Sequence, residues 1–170
     1  MKFLVIGSNS FSGSQFIKYL LKEGCEVLGV SRSNQIDSVY LPYTWSGSNE
    51  LFNFKQIDIN KDIDKLISYV NEYKTEYIVN FAAQGMVAQS WKSPEDWYQT
   101  NVVGQVKLHN ELRKLDFIKK YVHVTTPEVY GSTEGWIKEN FNFSPSTPYA
   151  TSRAACDLHL MTFFKAYKFP

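Results

Sequence analysis

Between a short apolar run and a stretch with helical spacing the chain reads Gly7-Ser8-Asn9-Ser10-Phe11-Ser12-Gly13, and this turn decides the fold. Lys2–Ile6 before it is apolar enough for a buried strand. After it, Phe11, Phe16, Ile17, Leu20 and Leu21 recur as one face of a helix over Phe11–Lys22, and Gly24 supplies the stop. Glycine at 7 permits a tight turn out of a strand. Glycine at 13 lets the helix pack close to a sheet, so that the first helical amides can face a pyrophosphate. Ser10 stands at the middle position, where a glycine would let the backbone approach phosphate. An ordinary strand-to-helix turn is the competing reading, and the location at the first junction of an alternating chain favours nucleotide binding.

The alternation continues outward. Cys25–Val30 predicts a second strand, 31–48 a polar, turn-rich loop with Pro42 and Gly47, and Phe54–Ile59 a third strand. Asp62–Tyr73 has Ile63, Leu66, Ile67 and Val70 on one helical face. Glu76–Ala83 reads as a strand buried on both sides, Pro94–Leu115 as one long helix, Lys120–Thr126 as a fifth strand and Pro148–Tyr167 as the last helix. The predicted class is α/β, a Rossmann-like doubly wound parallel sheet in the order 3-2-1-4-5. Phe169-Pro170 falls where the alternation calls for another strand, so the later strands are expected to be missing. No repeat or linker interrupts the chain, and residues 1–170 are expected to form one dinucleotide-binding domain.

Composition removes several function classes. The 170 residues are 44% apolar and 21% charged with a net charge of +1, which excludes disorder and coiled coil and offers no basic face to nucleic acid. No apolar stretch approaches the ~20 residues of a membrane span, and Phe3–Ile6 is too short for the roughly 7–15-residue core of a secretion signal. Cys25 and Cys156 make no disulfide framework, and His109, His123 and His159 have no second ligand at metal-binding spacing. No metal is therefore expected, and a reducing, cytoplasmic setting is. The aromatic content of 16% predicts a bulky core, with Trp91 and Trp97 as core or interface side chains.

Two local patterns bear on chemistry. An acidic residue at the end of the second strand would accept a hydrogen bond from an adenosine 2′-hydroxyl and repel a 2′-phosphate. Here the chain has Ser31-Arg32, and a guanidinium can hold a phosphate, so NADP is favoured over NAD. At the start of the last helix, Tyr149 and Arg153 are four residues apart and share a face, where a cation favours the phenolate form of a tyrosine base.

Further stretches carry a likeness. Phe81-Ala82-Ala83-Gln84 ends the fourth strand; Ser90, Pro94 and Thr100-Asn101-Val102-Val103-Gly104 follow; Thr125-Thr126-Pro127-Glu128-Val129-Tyr130-Gly131 follows the fifth strand; Ser144-Pro145-Ser146-Thr147-Pro148-Tyr149 leads into the last helix. In order and spacing these resemble the extended short-chain dehydrogenase/reductase family, specifically the nucleotide-sugar 4,6-dehydratases and epimerases, of the dTDP-glucose and GDP-mannose branches. The likeness covers the whole chain but only the N-terminal half of such an enzyme, without its substrate lobe. It implies NAD or NADP as cofactor, a nucleotide-sugar substrate, and a homodimer formed through the helices at 94–115 and 148–167. Gly7, Ser10, Phe11 and Gly13 would cradle the pyrophosphate, Asp58 and Ile59 would meet adenine, and Phe81, Ala82, Ala83 and Thr100 would lie along the cofactor. Tyr149 would take the proton of the sugar 4-hydroxyl, Thr126 would hydrogen-bond that oxygen, and Glu128 would remove the C5 proton before water leaves C6. Three positions depart from the family: Ser10 for glycine, Pro127 for the aspartate or serine common before the glutamate, and Arg153 for lysine. A catalytically impaired cofactor-binding module is the alternative reading.

Overall fold

Lys2–Ile6 forms β1, and both of its faces are buried: Leu4, Val5 and Ile6 are all within 1% of full burial. Such a strand needs partners on both edges, and it pairs in parallel with β2 (Glu26–Ser31) and β4 (Tyr77–Asn80). β3 (Phe52–Gln56) adds to β2 and β5 (Lys120–His123) to β4, giving a parallel sheet in the order β3-β2-β1-β4-β5. This is the predicted Rossmann-like order. The computed structural model describes residues 1–47 and 49–170; Ser48, the last residue of the stretch read as a loop, lies outside the described residues.

The chain divides into two compact units. The first holds 1–82, 110–124 and Pro170; the second holds 83–109 and 125–169. The chain passes between them more than once, so there is no single linker for a sequence to display.

In the first unit, helix α1 (Phe11–Lys22) covers the face of the sheet that carries Phe3, Val5 and Val27, burying Ile17, Leu20 and Leu21 there. Phe3, Phe16, Phe81 and Tyr77 meet ring to ring at centroid distances of 5.1–6.3 Å, so part of the aromatic content is core. The stretch expected to be an open loop contributes as well. It forms two short 3₁₀ turns, Ser38–Tyr40 and Pro42–Thr44, and Leu41 and Tyr43 are buried in the same cluster. Helix α2 (Ile63–Tyr73) buries Leu66 and Val70.

Several boundaries differ from expectation. β3 starts two residues earlier and ends at Gln56; Ile57 and Ile59, which suggested a longer strand, are buried after the strand has ended. The fourth strand stops at Asn80 and the fifth at His123. The long helix is divided into α3 (Pro94–Tyr98), a π-helical stretch (Gln99–Gly104) and α4 (Gln105–Leu112). A π-bulge inserts without breaking the apolar pattern, and such insertions gather at functional sites.

In the second unit, α5 (Pro148–Tyr167) starts and ends as expected. Thr147 caps it, its Oγ1 accepting from the Ala150 amide at 3.0 Å, and Pro148 occupies the first turn. Trp97 is buried, whereas Trp91 is 64% exposed and is no core residue. His109 stacks on His159 at 5.5 Å, with Phe163 beyond at 4.1 Å from His159, and burial lowers the His159 pKa. Among the described residues no helix is long and apolar enough to cross a membrane.

Candidate functional site

The residues singled out in the sequence fall into two groups, one in each unit. In the first, the chain leaves β1 through Gly7 at φ +88°, and a Cβ there would come within 2.9 Å of the Ala82 amide nitrogen. Only glycine fits both the dihedral and the gap. Gly13 has no room for a side chain either: a Cβ would run into the Gly7 carbonyl and approach Ser10 Oγ at 2.8 Å. The glycines therefore bring the turn, the helix start and the Phe81–Ala82 backbone into close contact.

Ser10 has a role beyond replacing a glycine. It is the N-cap of α1: Oγ donates to the Gly7 carbonyl at 2.7 Å and accepts from the Gly13 amide at 3.0 Å. Because Gly13 and Ser14 send their amides to Ser10, the amides of Phe11 and Ser12 are the ones left to meet an anion. Phe11 itself is 81% exposed beside them.

Asn9 ties this turn to the end of β2. Its amide donates to Ser31 Oγ at 3.0 Å, and its Nδ2 donates to the carbonyls of Ser33 and Asn34 at 3.2 and 2.7 Å. Ser31 is thus engaged by the turn, while Arg32 is exposed, its carbonyl accepting from Gln56 Nε2 at 3.0 Å. Asp58 spends Oδ1 on the Asn60 amide at 2.9 Å, and Ile59 is buried. Behind Phe81 and Ala82 lies fully buried Asn80, which accepts from the Ala82 amide at 2.9 Å and donates to the Tyr121 hydroxyl at 2.8 Å. Asn80 had gone unmarked; an amide closing an apolar strand was its signal.

In the second unit, Tyr149 and Arg153 lie one turn apart on α5, with Tyr149 half-buried and Arg153 2% exposed. The Tyr149 amide donates to the buried Ser90 Oγ at 3.2 Å, which fixes the entry into the helix. Half-buried Thr100 is the second residue of the π-helical stretch, and beside it Asn101 is fully buried. Asn101 grips both backbone groups of Gln84, at 2.7 and 3.0 Å, and donates to Ser152 Oγ at 2.9 Å. It thereby fastens the segment after Ala83 to α5. Asn101 and Ser90 were visible only as parts of a family pattern; their buried bracing is a property of the fold.

Thr126, Pro127 and Glu128 form one short turn. Thr126 is buried and accepts from the Glu128 amide at 3.3 Å, which leaves its hydroxyl proton to donate elsewhere. Pro127 takes the first position of the 3₁₀ turn Pro127–Tyr130, where its fixed φ suits the geometry. Glu128 is half-buried.

The arrangement offers helical amides for an anion in one unit and a tyrosine, a cation, a hydroxyl and a carboxylate in the other. The sequence matches the family described as GDP-mannose 4,6 dehydratase over residues 4–170. The chain belongs to that family. A probable dTDP-glucose 4,6-dehydratase from Sinorhizobium fredii is 30% identical, with 100% of this chain and 51% of that protein covered. A UDP-glucuronate 4-epimerase from Thermodesulfobacterium geofontis is 31% identical, with 97% and 52% covered. Among solved structures, the Streptomyces venezuelae dTDP-glucose 4,6-dehydratase, with NAD and TYD bound, superposes with a TM-score of 0.86 at 28% identity, with 99% and 53% covered. The chain spans about half the length of these relatives.

Proposed function

We propose that this family member is the dinucleotide-binding part of a nucleotide-sugar 4,6-dehydratase or epimerase that oxidises its sugar at C4. The observation that carries the reading is the α5 start: Tyr149, held by Ser90, one turn before the buried Arg153. The turn at Gly7–Gly13 fits a dinucleotide, since a Cβ at Gly7 would fill the gap against Ala82 and two helix-start amides remain for a pyrophosphate. Gly7, Ser10, Phe11 and Gly13 would hold the pyrophosphate, Asp58 and Ile59 the adenine, and Phe81, Ala82, Ala83 and Thr100 the rest, with Tyr149 and Arg153 at the nicotinamide end. When bound, the nicotinamide supplies hydride acceptance from C4 and, in a dehydratase, hydride return to C6.

Tyr149 takes the proton of the 4-hydroxyl as Arg153 stabilises its charge, and Thr126 donates its free hydroxyl proton to the same oxygen. Glu128 then removes the C5 proton, acidified by the new ketone. Proline at 127 can donate no proton to the departing 6-hydroxyl, so that proton comes from water or the elimination takes another course. Pro127 is also the observation favouring the second reading, a module that binds cofactor without turnover.

For the cofactor, exposed Arg32 beside Ser31 supports NADP over NAD. Exposed Tyr98, Val103, Leu158, Phe164 and Tyr167 on the helices of 94–115 and 148–167 support a homodimer through them. The experiment is titration of the chain with NADH and NADPH, followed by nicotinamide fluorescence. Binding of either supports the reading, tighter binding of NADPH supports the assignment to Arg32, and binding of neither overturns the reading.

A further inference from the structure

Residues 32–34, just past β2, are exposed, yet the backbone here is held at every step. The Ser31 carbonyl accepts from the Ile57 amide at 2.9 Å and the Arg32 carbonyl from Gln56 Nε2 at 3.0 Å. The Ser33 and Asn34 carbonyls accept from Asn9 Nδ2 at 3.2 and 2.7 Å. Four consecutive carbonyls are therefore engaged, the last two by a single side chain of the Gly7–Gly13 turn. An arginine on a free loop must order both backbone and side chain when it meets an anion. With the backbone already ordered, only the side chain's freedom is left to lose.

Asn9 also sets the direction of the hydrogen bonds around Arg32. Its amide donates to Ser31 Oγ at 3.0 Å, and its Nδ2 donates to Ser33 Oγ at 3.2 Å. A hydroxyl that accepts keeps its own proton to donate. Exposed Ser33, next in sequence to Arg32, thus keeps a proton for an acceptor from outside. The Asn9 side chain has little to offer a ligand directly, because its Nδ2 is engaged and its Oδ1 is buried.

We infer that Asn9 is a positioning residue for cofactor choice: by pinning residues 33 and 34 to the Gly7–Gly13 turn, it presents Arg32 and Ser33 to the 2′-phosphate of a nicotinamide dinucleotide. The inference rests on the NADP reading proposed above and adds to it the residue that organises the contact. NAD and NADP differ only in that phosphate. A tie that served stability alone would therefore affect both cofactors alike, whereas a positioning residue affects their ratio.

Titrations with NADPH and NADH, followed by nicotinamide fluorescence, give the ratio of the two affinities. Arg32→Ala should lower the preference for NADPH by roughly tenfold or more, the worth of a charge-assisted contact. Asn9→Ala should lower it about fivefold, the worth of one ordinary hydrogen bond. Added to Arg32→Ala, it should change the ratio by less than about twofold, since little is left to position. Gln56→Ala, which releases the Arg32 carbonyl from an exposed side chain at the end of β3, should act in the same direction as Asn9→Ala. A ratio unchanged in Asn9→Ala, or lowered by the same factor with and without Arg32, overturns the inference. Should Asn9→Ala fail to fold, an unchanged ratio in Gln56→Ala overturns it. A parent chain that binds NADH as tightly as NADPH defeats this inference alone and leaves dinucleotide binding standing. One that binds neither defeats the proposed function and the inference with it.

Discussion

Glu128 has its amide bound to Thr126 and its side chain half-buried, so a change of its carboxylate to a carboxamide alters chemistry more than structure. In a protein carrying both halves, Glu128→Gln is expected to stop loss of the C5 proton yet leave hydride transfer from C4. Reduced nicotinamide should then accumulate with substrate present, read by its absorbance; formation of 4-keto-6-deoxy product at the parent rate would make Glu128 structural. Arg153 offers a second test. Arg153→Lys restores the family's residue and is expected to preserve or raise single-turnover hydride transfer, whereas Arg153→Ala should lower it by about 100-fold, the cost of misplacing reacting groups by an ångström. Equal losses in both variants would show that the guanidinium is specifically needed. The cysteines serve as a control on burial. Cys156 is fully buried with its thiol pushed up to about 12, so in the folded chain it should resist alkylation at mildly alkaline pH and react only in denaturant, as mass spectrometry would record.

The α1 start illustrates what was and was not legible in elements. Lys2–Ile6, Phe11–Lys22 and Pro148–Tyr167 were readable to the residue, because each is bounded by a cap, glycine or proline whose local physics ends it. Ser10 looked like a defect in a glycine pattern; its capping of Gly13 depends on where its hydroxyl points, which a one-dimensional pattern does not carry. Ser10→Ala is therefore expected to cost about 1 kcal/mol of stability, measured by urea unfolding, and Ser10→Gly only a few tenths; equal effects would remove the cap from the account. The π-helical stretch was hidden for a related reason. Val102, Val103, Val106 and Leu108 keep an apolar pattern through it, so only the buried Asn101, with its three hydrogen bonds, betrays the local widening. The residues proposed for catalysis are legible as a family pattern, while Asn80 and Ser90 are polar residues that only the fold brings to their partners.

At the scale of the molecule, two carboxylates give stability opposite dependences on pH. Asp157 has its carboxyl raised by burial, so the folded state binds that proton more tightly than the unfolded one. Its contribution is fully present below the ordinary carboxylate range and is lost as pH rises through the raised value. Glu76 is lowered by its hydrogen bond to Lys119 and contributes in the opposite sense, above that range, lost as pH falls, though exposure screens it. Asp157→Asn is accordingly expected to raise Tm near pH 7 relative to pH 4, compared with the parent chain, in calorimetric scans at about those two values; an unchanged difference would mean that burial of Asp157 costs nothing. The same scale governs turnover. A chain spanning about half the length of its relatives is expected to bind cofactor but not to convert dTDP-glucose or GDP-mannose, because half of a site does not fix a reactive geometry. Steady conversion by these 170 residues would refute that.

The place of β1 in the sheet also sets a timetable for synthesis. It is made before both of its neighbours, yet it sits between β2 and β4. One of its edges must wait for Tyr77–Asn80, roughly 70 residues later, which at ordinary translation rates is an interval of about 4–14 s. During that interval the nascent chain presents an unpaired apolar ribbon, Phe3-Leu4-Val5-Ile6, open to intruding strands. Slowing the ribosome between the codons for Val30 and Tyr77 should therefore lower the soluble yield, and a chaperone that covers extended apolar segments should restore it.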